Sequence, residues 1–427
     1  MERLHSFLGT LAILGIAWAL CPKSRRRHVN YRTLLFGLGL LWVCALLVLM
    51  TPIKSVFQSA QHGVDTLMSF CDAGTEFVFG KELVNPNGKL GFVFLVRALP
   101  PILFFSAIMS VLYYLRVLPM IVRFLGRTLS SVLGTSGAES FSTAADIFVG
   151  QTEAPLTIRP YLAKATRSEI HACMTAGFAT TAGAVLVTYA TMLKSLVPGI
   201  AGHLIVCSVL CAPASLIIAK LMYPEDSTPE TAGKTDLELP RTSVNLVDAI
   251  TSGTTDGLRL AVNVAAMLIV FIAMTALLDA GLMGLSKWLA SLVGDGGGLI
   301  PPEGWSLAGL LGIIFRPLVW LLGIAPGDVP LAASLIGKKT VLNEWIAYRD
   351  MATTLADNPS ALSERGRLIM SYALCGFANF ASIGIQIGGY SALEPSRRSD
   401  FASLAVRAMF GGLLTTCLVA AVVGVLT

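Results

Sequence analysis

The chain has 427 residues, 54% of them hydrophobic and 13% charged, with a mean hydropathy of +0.72, whereas a soluble domain is typically about 45–50% apolar and about 25% charged. That balance excludes an ordinary soluble enzyme or binding module and indicates an all-α polytopic membrane protein. The net charge of +5 does not point to nucleic acid, because the basic residues cluster in short loops beside apolar runs; the eight scattered cysteines and five dispersed histidines write neither a zinc nor a haem site.

Runs of about 20 apolar residues suit a hydrocarbon core about 30 Å thick. The first, 6–22, is followed by Lys23, Arg25, Arg26 and Arg27 and lacks a cleavage site, so it reads as a retained span with the N-terminus outside. A second span is expected at 33–51. Residues 53–88 carry Gln58, Gln61, His62, Asp65, Asp72 and Glu76 among apolar residues and read as amphipathic helices at the interface. A third span, 92–115, leads into Arg116, Arg123 and Arg127.

Residues 130–165 are apolar but broken by glycine, proline and charge. Irregular backbone is tolerated at membrane depth only when buried in protein or lining a cavity, so this segment reads as a re-entrant hairpin. Spans at 169–194 and 199–222 follow, then a hydrophilic linker, 223–245, read as a solvated cytoplasmic connection, and a span at 256–281. A second interrupted stretch, 303–348, reads as a second hairpin. After a polar outside segment, 349–367, spans at 368–391 and 401–427 bring the total to about eight, with the C-terminus outside. Arg159, Lys164, Arg167, Arg397 and Arg398 then all fall in the cytoplasm, a charge asymmetry that played no part in the threading.

Each interrupted stretch holds a carboxylate, Glu153 in the first and Glu344 in the second. A charge at membrane depth costs at least about 2.5 kcal/mol, which makes both candidates for a polar site. Glu139 is equally readable as a helix cap or ion-pair partner. Each acid is followed by a similar string, Gly177-Phe178-Ala179-Thr180-Thr181-Ala182 and Gly376-Phe377-Ala378-Asn379-Phe380-Ala381. The order of broken segment then span occurs twice, entering from opposite sides, which is the inverted repeat of a secondary transporter. A break at Gly177 or Gly376 would free amides and carbonyls beside Thr180, Thr181, Asn379 and Ser382, an inventory suited to a polar, neutral solute and a coupling ion.

Five strings occur in order along the chain: Gly134-Thr135-Ser136-Gly137-Ala138-Glu139-Ser140, Gly150-Gln151-Thr152-Glu153-Ala154-Pro155-Leu156, Gly177-Phe178-Ala179-Thr180-Thr181-Ala182-Gly183, Lys339-Thr340-Val341-Leu342-Asn343-Glu344-Trp345 and Cys375-Gly376-Phe377-Ala378-Asn379-Phe380. Together they resemble the concentrative nucleoside transporter family, over essentially the whole chain. The resemblance implies import of nucleosides of the uridine, cytidine and adenosine class across the cytoplasmic (inner) membrane by cation symport, with no cofactor. It implies a homotrimer working as an elevator. Residues 1–427 would form one membrane unit, with scaffold parts 1–51, 66–128 and 250–290 and transport parts 53–65, 130–222 and 303–427. By motif position Gln151, Thr152, Glu153 and Val185 would face the nucleobase; Glu344, Asn379, Ser382 and Phe377 the ribose; Asp146, Val149, Thr180 and Thr181 the coupling ion.

The ion position departs from the sodium-coupled pattern, which commonly has Asn where this chain has Asp146 and Ser-Ile where it has Thr180-Thr181. An ionised Asp146 suits Na⁺, but a carboxyl buried in a low-dielectric hairpin is able to carry H⁺ instead, and Asp146 tips the expectation toward the proton. Ala184 stands where Ser is frequent in the family. Competing readings are an elevator carrier for another polar solute, an intramembrane enzyme using the two glutamates, and a channel. An anionic solute would need cationic groups, a duplicated architecture needs no chemistry, and two carboxylates in opposed hairpins suit one occluded site better than a pore.

Overall fold

The computed structural model describes residues 2–50, 54–84, 94–97, 99–234, 243–293 and 304–427, and all regular structure among them is helical. Helices satisfy their own backbone groups, which is what a lipid environment demands.

The first two spans form α1 (Glu2–Ala19) and α2 (Tyr31–Met50). The amphipathic stretch is one helix, α3 (Lys54–Phe79), with a short α4 (Lys81–Val84). The third span is α5 (Phe94–Arg97) and α6 (Leu99–Tyr114). Arg116, in left-handed backbone at φ 65°, then turns the chain by 76° into α7 (Val117–Leu133). The sequence reading has a basic loop here. The helix is nonetheless amphipathic: Leu118, Val122, Gly126, Leu129 and Leu133 bury one face at helical spacing.

A first copy of the duplicated unit follows: α8 (Gly137–Asp146), a loop, a 3₁₀ turn Ala154–Ile158 with α9 (Arg159–Leu162), then α10 (Arg167–Ala179), α11 (Gly183–Leu193) and α12 (Ile200–Met222). After α13 (Leu246–Val293), the second copy is α14 (Leu307–Leu321), α15 (Val329–Val341), α16 (Glu344–Asp357), α17 (Glu364–Ala373), α18 (Phe380–Leu393) and α19 (Arg398–Leu426). The spans read at 169–194 and 368–391 are each broken, after Ala179 and after Ala373, near the Gly177 and Gly376 considered for a break.

Several sequence expectations need correction. The helix pair of the second interrupted stretch is α15 and α16, spanning 329–357 where 303–348 was expected: α14 packs on α15 as α7 packs on α8, and 349–367 is the rest of α16 and the start of α17. Gly–Pro interruptions marked the stretch but not its arms. The first pair likewise occupies 137–162, with 130–133 belonging to α7.

The span expected at 256–281 is a 48-residue helix, α13, about 72 Å long at 1.5 Å per residue, so it outruns any bilayer. Its N-terminal turns pack on α6 through Gly253 and Gly257, where an added Cβ would meet Ser110 and Ala107, or Leu103 and Ser106, at 2.6–2.9 Å. This is the small-residue spacing that lets membrane helices approach closely.

The linker is not simply solvated. Its Thr231 is 1% exposed, and the N–H groups of Gly137 and Ala138 donate to its carbonyl and hydroxyl oxygens at 3.1 and 3.0 Å, capping α8. Residues 235–242 lie outside the described residues.

The caps give the register of the duplication. N-caps Thr166 and Ala182 in the first copy lie sixteen residues apart, as do Ser363 and Asn379 in the second. The recurring Gly-Phe-Ala strings are therefore two residues out of step: they pair Asn379 with Thr180, whereas the fold pairs it with Ala182. Gly177 lies inside α10, but Gly376 lies in the break with φ 87°.

Among the described residues four helices are long and apolar enough to cross a membrane, Tyr31–Leu49, Ile200–Met222, Ile272–Leu292 and Pro395–Leu426, with α6 and α7 a bent candidate. The half-helices are too short to meet that test singly. α1 and α2 pack on α12 and α19, while α6 and α13 pack on one another.

Candidate functional site

The two breaks lie against each other at the centre of the duplicated unit. An added Cβ at Gly376 would stand 2.5 Å from the carbonyl oxygen of Ala179. With the positive φ, this makes glycine a requirement there. The Gly376 N–H donates to Thr181 Oγ1 at 2.8 Å, joining the breaks directly. Lys339, wholly buried on α15, reaches into the second break and donates to the carbonyls of Ala373 and Cys375 at 2.9 and 2.7 Å and to Thr416 Oγ1 at 3.2 Å. Its charge sits at the C-terminus of α17, where orphan carbonyls and the helix dipole both favour a cation.

The loop between α8 and the 3₁₀ turn rests on the first break. Gly150 (φ 90°) leaves room for Ala182, whose Cβ an added Cβ would meet at 2.7 Å, and the Gly183 N–H donates to Phe148 O at 3.1 Å. This seat turns Gln151 and Thr152 inward. Glu344, 4% exposed at the start of α16, accepts from Tyr189 OH at 2.6 Å on Oε1 and from Asn379 Nδ2 at 3.0 Å on Oε2. Asn379 Oδ1 accepts from the Ser382 N–H at 2.9 Å and so caps α18.

One cleft collects Val149, Gln151, Thr152, Val185, Glu344, Phe377, Asn379 and Ser382, with Thr188, Tyr189 and Asn343 beside them and Ile102 of α6 and Leu260 of α13 as an apolar wall. Of the residues assigned to base and ribose, only Glu153 does not line it. Its carboxylate faces a neighbouring cavity of about 480 Å³ with Ser106, Thr255, Asp256 and Arg259, and Val149 is a wall shared by both. The loop is a turn, with Gly150 O accepting from the N–H groups of Glu153 and Ala154 at 3.3 and 3.0 Å, and the turn carries Glu153 away from Gln151 and Thr152, which a motif string does not show.

The residues assigned to the ion are all on the first copy. Asp146 is 1% exposed and neither carboxyl oxygen has a hydrogen-bond partner among the described residues. Thr180 Oγ1 donates back to Ala176 O at 3.0 Å, and Thr181 Oγ1 accepts from Gly376 and lies 3.3 Å from Cys375 Sγ. A hard cation prefers oxygen ligands, and Asp146 supplies two uncommitted ones. Glu139, by contrast, is structural: it closes a capping box with Ser136 and pairs with Lys220 at 2.7 Å.

The motifs miss Tyr189, Gln386 and Lys339 as working groups. Gln386 is buried on α18 and donates from Nε2 to Gln151 Oε1 and Met174 O, both at 3.1 Å. Polar or ionisable residues inside apolar helices are the available signal; among the acids and small polar residues it singled out, these three are not included.

The sequence profile described as "Na+ dependent nucleoside transporter C-terminus" matches residues 203–424, "Nucleoside recognition" matches 95–196, and "Na+ dependent nucleoside transporter N-terminus" matches 8–82. A nucleoside permease of Helicobacter pylori, NupC, is 37% identical over 99% of this chain and 97% of its own. The sodium/nucleoside cotransporter 1 of Rattus norvegicus is 37% identical over 100% of this chain, which spans 64% of that protein. The structure of CNTnw in an inward-facing substrate-bound state matches with a TM-score of 0.88 at 36% identity, covering 100% of this chain and 98% of that one. CNTnw variants in outward-facing and intermediate states match at 0.86–0.88. Fold and site thus define a multi-pass membrane transporter, not an enzyme. The chain belongs to the concentrative nucleoside transporter family, in its bacterial form.

Proposed function

We propose that this protein imports nucleosides across the cytoplasmic membrane by cation symport, with the duplicated unit moving as an elevator. The observation that carries the reading is Glu344. Its two oxygens each hold one protein donor, and an ionised carboxylate accepts about four hydrogen bonds in all. The remaining capacity borders a cleft where Asn379 and Ser382 stand beside it and Phe377 offers a ring, a set matched to the vicinal diol and sugar of a nucleoside. Gln151, Thr152 and Val185 take the base, which extends past Val149 toward Glu153. Relatives named as nucleoside permease and sodium/nucleoside cotransporter support the substrate class.

The α8–α9 and α15–α16 pairs are proposed as the re-entrant hairpins. The moving body comprises both copies, with α6 and α13 as the fixed wall carrying Ile102 and Leu260. The outward, intermediate and inward states of CNTnw support that division. The exposed apolar flank of α13, including Ile269, Leu277 and Trp288, supports a homotrimer in lipid.

For coupling we propose H⁺ carried by Asp146, on the strength of its buried, unpartnered carboxyl. The Na⁺ alternative rests on the sodium-dependent profiles and on the same two oxygens. Uridine uptake into proteoliposomes, with pH and Na⁺ gradients imposed separately, tests both. Concentrative uptake on the pH gradient alone is expected, with Asp146→Asn weakening the pH dependence; uptake on the Na⁺ gradient only would reverse the assignment. Thermal stabilisation by uridine or adenosine and not by aspartate separates a nucleoside carrier from one for anions.

A further inference from the structure

Tyr189 and Gln386 are the seventh residues of α11 and α18. The register set by the N-caps makes them equivalent positions in the two copies, and both are wholly buried. Each crosses to the other copy. Tyr189 of the first donates to Glu344 of the second at 2.6 Å, and Gln386 of the second donates to Gln151 of the first at 3.1 Å.

We propose that Gln386 is a positioning residue for the base side of the site, orienting Gln151 from the opposite copy as Tyr189 orients Glu344 on the ribose side. The inference rests on the nucleoside reading above. Two carbonyl oxygens, Gln151 Oε1 and Met174 O, face the Gln386 amide, and only an NH₂ group satisfies both, which fixes its orientation. The Gln386 carbonyl oxygen is buried without a partner among the described residues. An apolar side chain there would avoid that desolvation cost, so packing alone does not account for glutamine.

Space for the pair comes from Gly177, where an added Cβ would stand 2.7 Å from Gln386 Nε2 and 2.9 Å from Gln151 Cβ. With the Gln151 carbonyl held, its own NH₂ is the group left for the ligand. The base side therefore presents a donor and recognises an acceptor on the base, a carbonyl or a ring nitrogen.

The test is a set of double-mutant cycles on KM for uridine uptake in proteoliposomes. Gln386→Met keeps length and removes the donor. It is expected to raise KM about fivefold, the worth of one neutral hydrogen bond, with the maximal rate changed by under about twofold. Combined with Gln151→Met it should add nothing further, whereas combined with Tyr189→Phe the two effects should multiply. Multiplicative effects with Gln151→Met, or a lowered maximal rate at unchanged KM, would overturn the proposal. Should Gln386→Met fail to fold, Gly177→Ala displaces the same pair and is held to the same pattern. Absence of uptake by the unmodified protein would instead refute the nucleoside reading, and this inference with it.

Discussion

The two broken spans share a register but not a chemistry. The first is interrupted for three residues, Thr180–Ala182, and the N-cap of α11, Ala182, offers no side-chain cap. The second is interrupted for six, Leu374–Asn379, is braced by the Lys339 ammonium, and starts α18 on Asn379, whose amide also holds Glu344. A longer break exposes more backbone at membrane depth, which needs a dedicated partner. It also makes room for ligand-facing side chains. Duplication supplies the frame, and on the proposed reading the solute chemistry lies where the copies differ.

The largest expected effect follows from that brace. Lys339→Met removes the donor to two carbonyls, each worth about 1–3 kcal/mol when left buried and unpaired, while the Thr416 hydroxyl keeps its bond to Leu413 O. Relief of the ammonium's own burial offsets part of this, leaving a loss of about 2–4 kcal/mol. Thermal unfolding of the detergent-purified protein measures it, and an unchanged midpoint would mean that the second break does not depend on the cation.

Next comes Glu344→Gln. It keeps the shape of the side chain but removes the charge that strengthens hydrogen bonds to a diol, so uridine affinity should fall about a hundredfold, equivalent to about 3 kcal/mol. Calorimetric titration reads it. A change below about threefold would place the ribose elsewhere and dissolve the functional contrast between the copies.

How much of this was legible beforehand follows from what a sequence pattern encodes. Continuous apolar runs gave α1, α2, α12 and α19 within a few residues, because hydropathy and span length are properties of a single segment. Acids written into apolar segments singled out Asp146 and Glu344, both of which are buried in the fold. The bounds of α15, α16 and α17 were not legible because their apolar faces are interspersed with Lys338, Lys339, Arg349 and Glu364, charges of which the fold pairs Lys338 with Asp350 and sets Lys339 against the carbonyls of Ala373 and Cys375. The register of the duplication was misread for a related reason. Gly-Phe-Ala is set by close packing, which falls before the helix end in one copy and after it in the other, whereas true equivalence is marked by caps: Thr166 and Ser363 are both hydroxyl caps, too common a signal to stand out, and Ala182 and Asn379 are chemically unlike. Tyr189 and Gln386 act through a partner distant in sequence, and no local pattern announces that.

A smaller effect probes the joint between the breaks. Thr181→Val removes the oxygen that accepts the Gly376 N–H and leaves a buried amide unpaired, at a cost of about 1–2 kcal/mol. The loss should appear in the unfolding midpoint without a matching change in uridine affinity, since Thr181 does not line the cleft.

The smallest effect belongs to Thr180→Val. The Thr180 hydroxyl donates to Ala176 O, but the Thr180 amide donates to that same oxygen at 3.1 Å, so the carbonyl stays satisfied when the hydroxyl goes. Valine matches threonine in shape, and back-bonding of this kind adds little to a helix. Stability should therefore change by under about 1 kcal/mol, well short of the Lys339→Met loss. If the two variants proved equally damaging, the first break would need bracing as much as the second, and the difference in length and capping would carry no energetic meaning. If stability holds while the response of uptake to pH or Na⁺ shifts, Thr180 contributes to the ion side beside Asp146, and the first copy's break is a coupling element where the second's is a solute element.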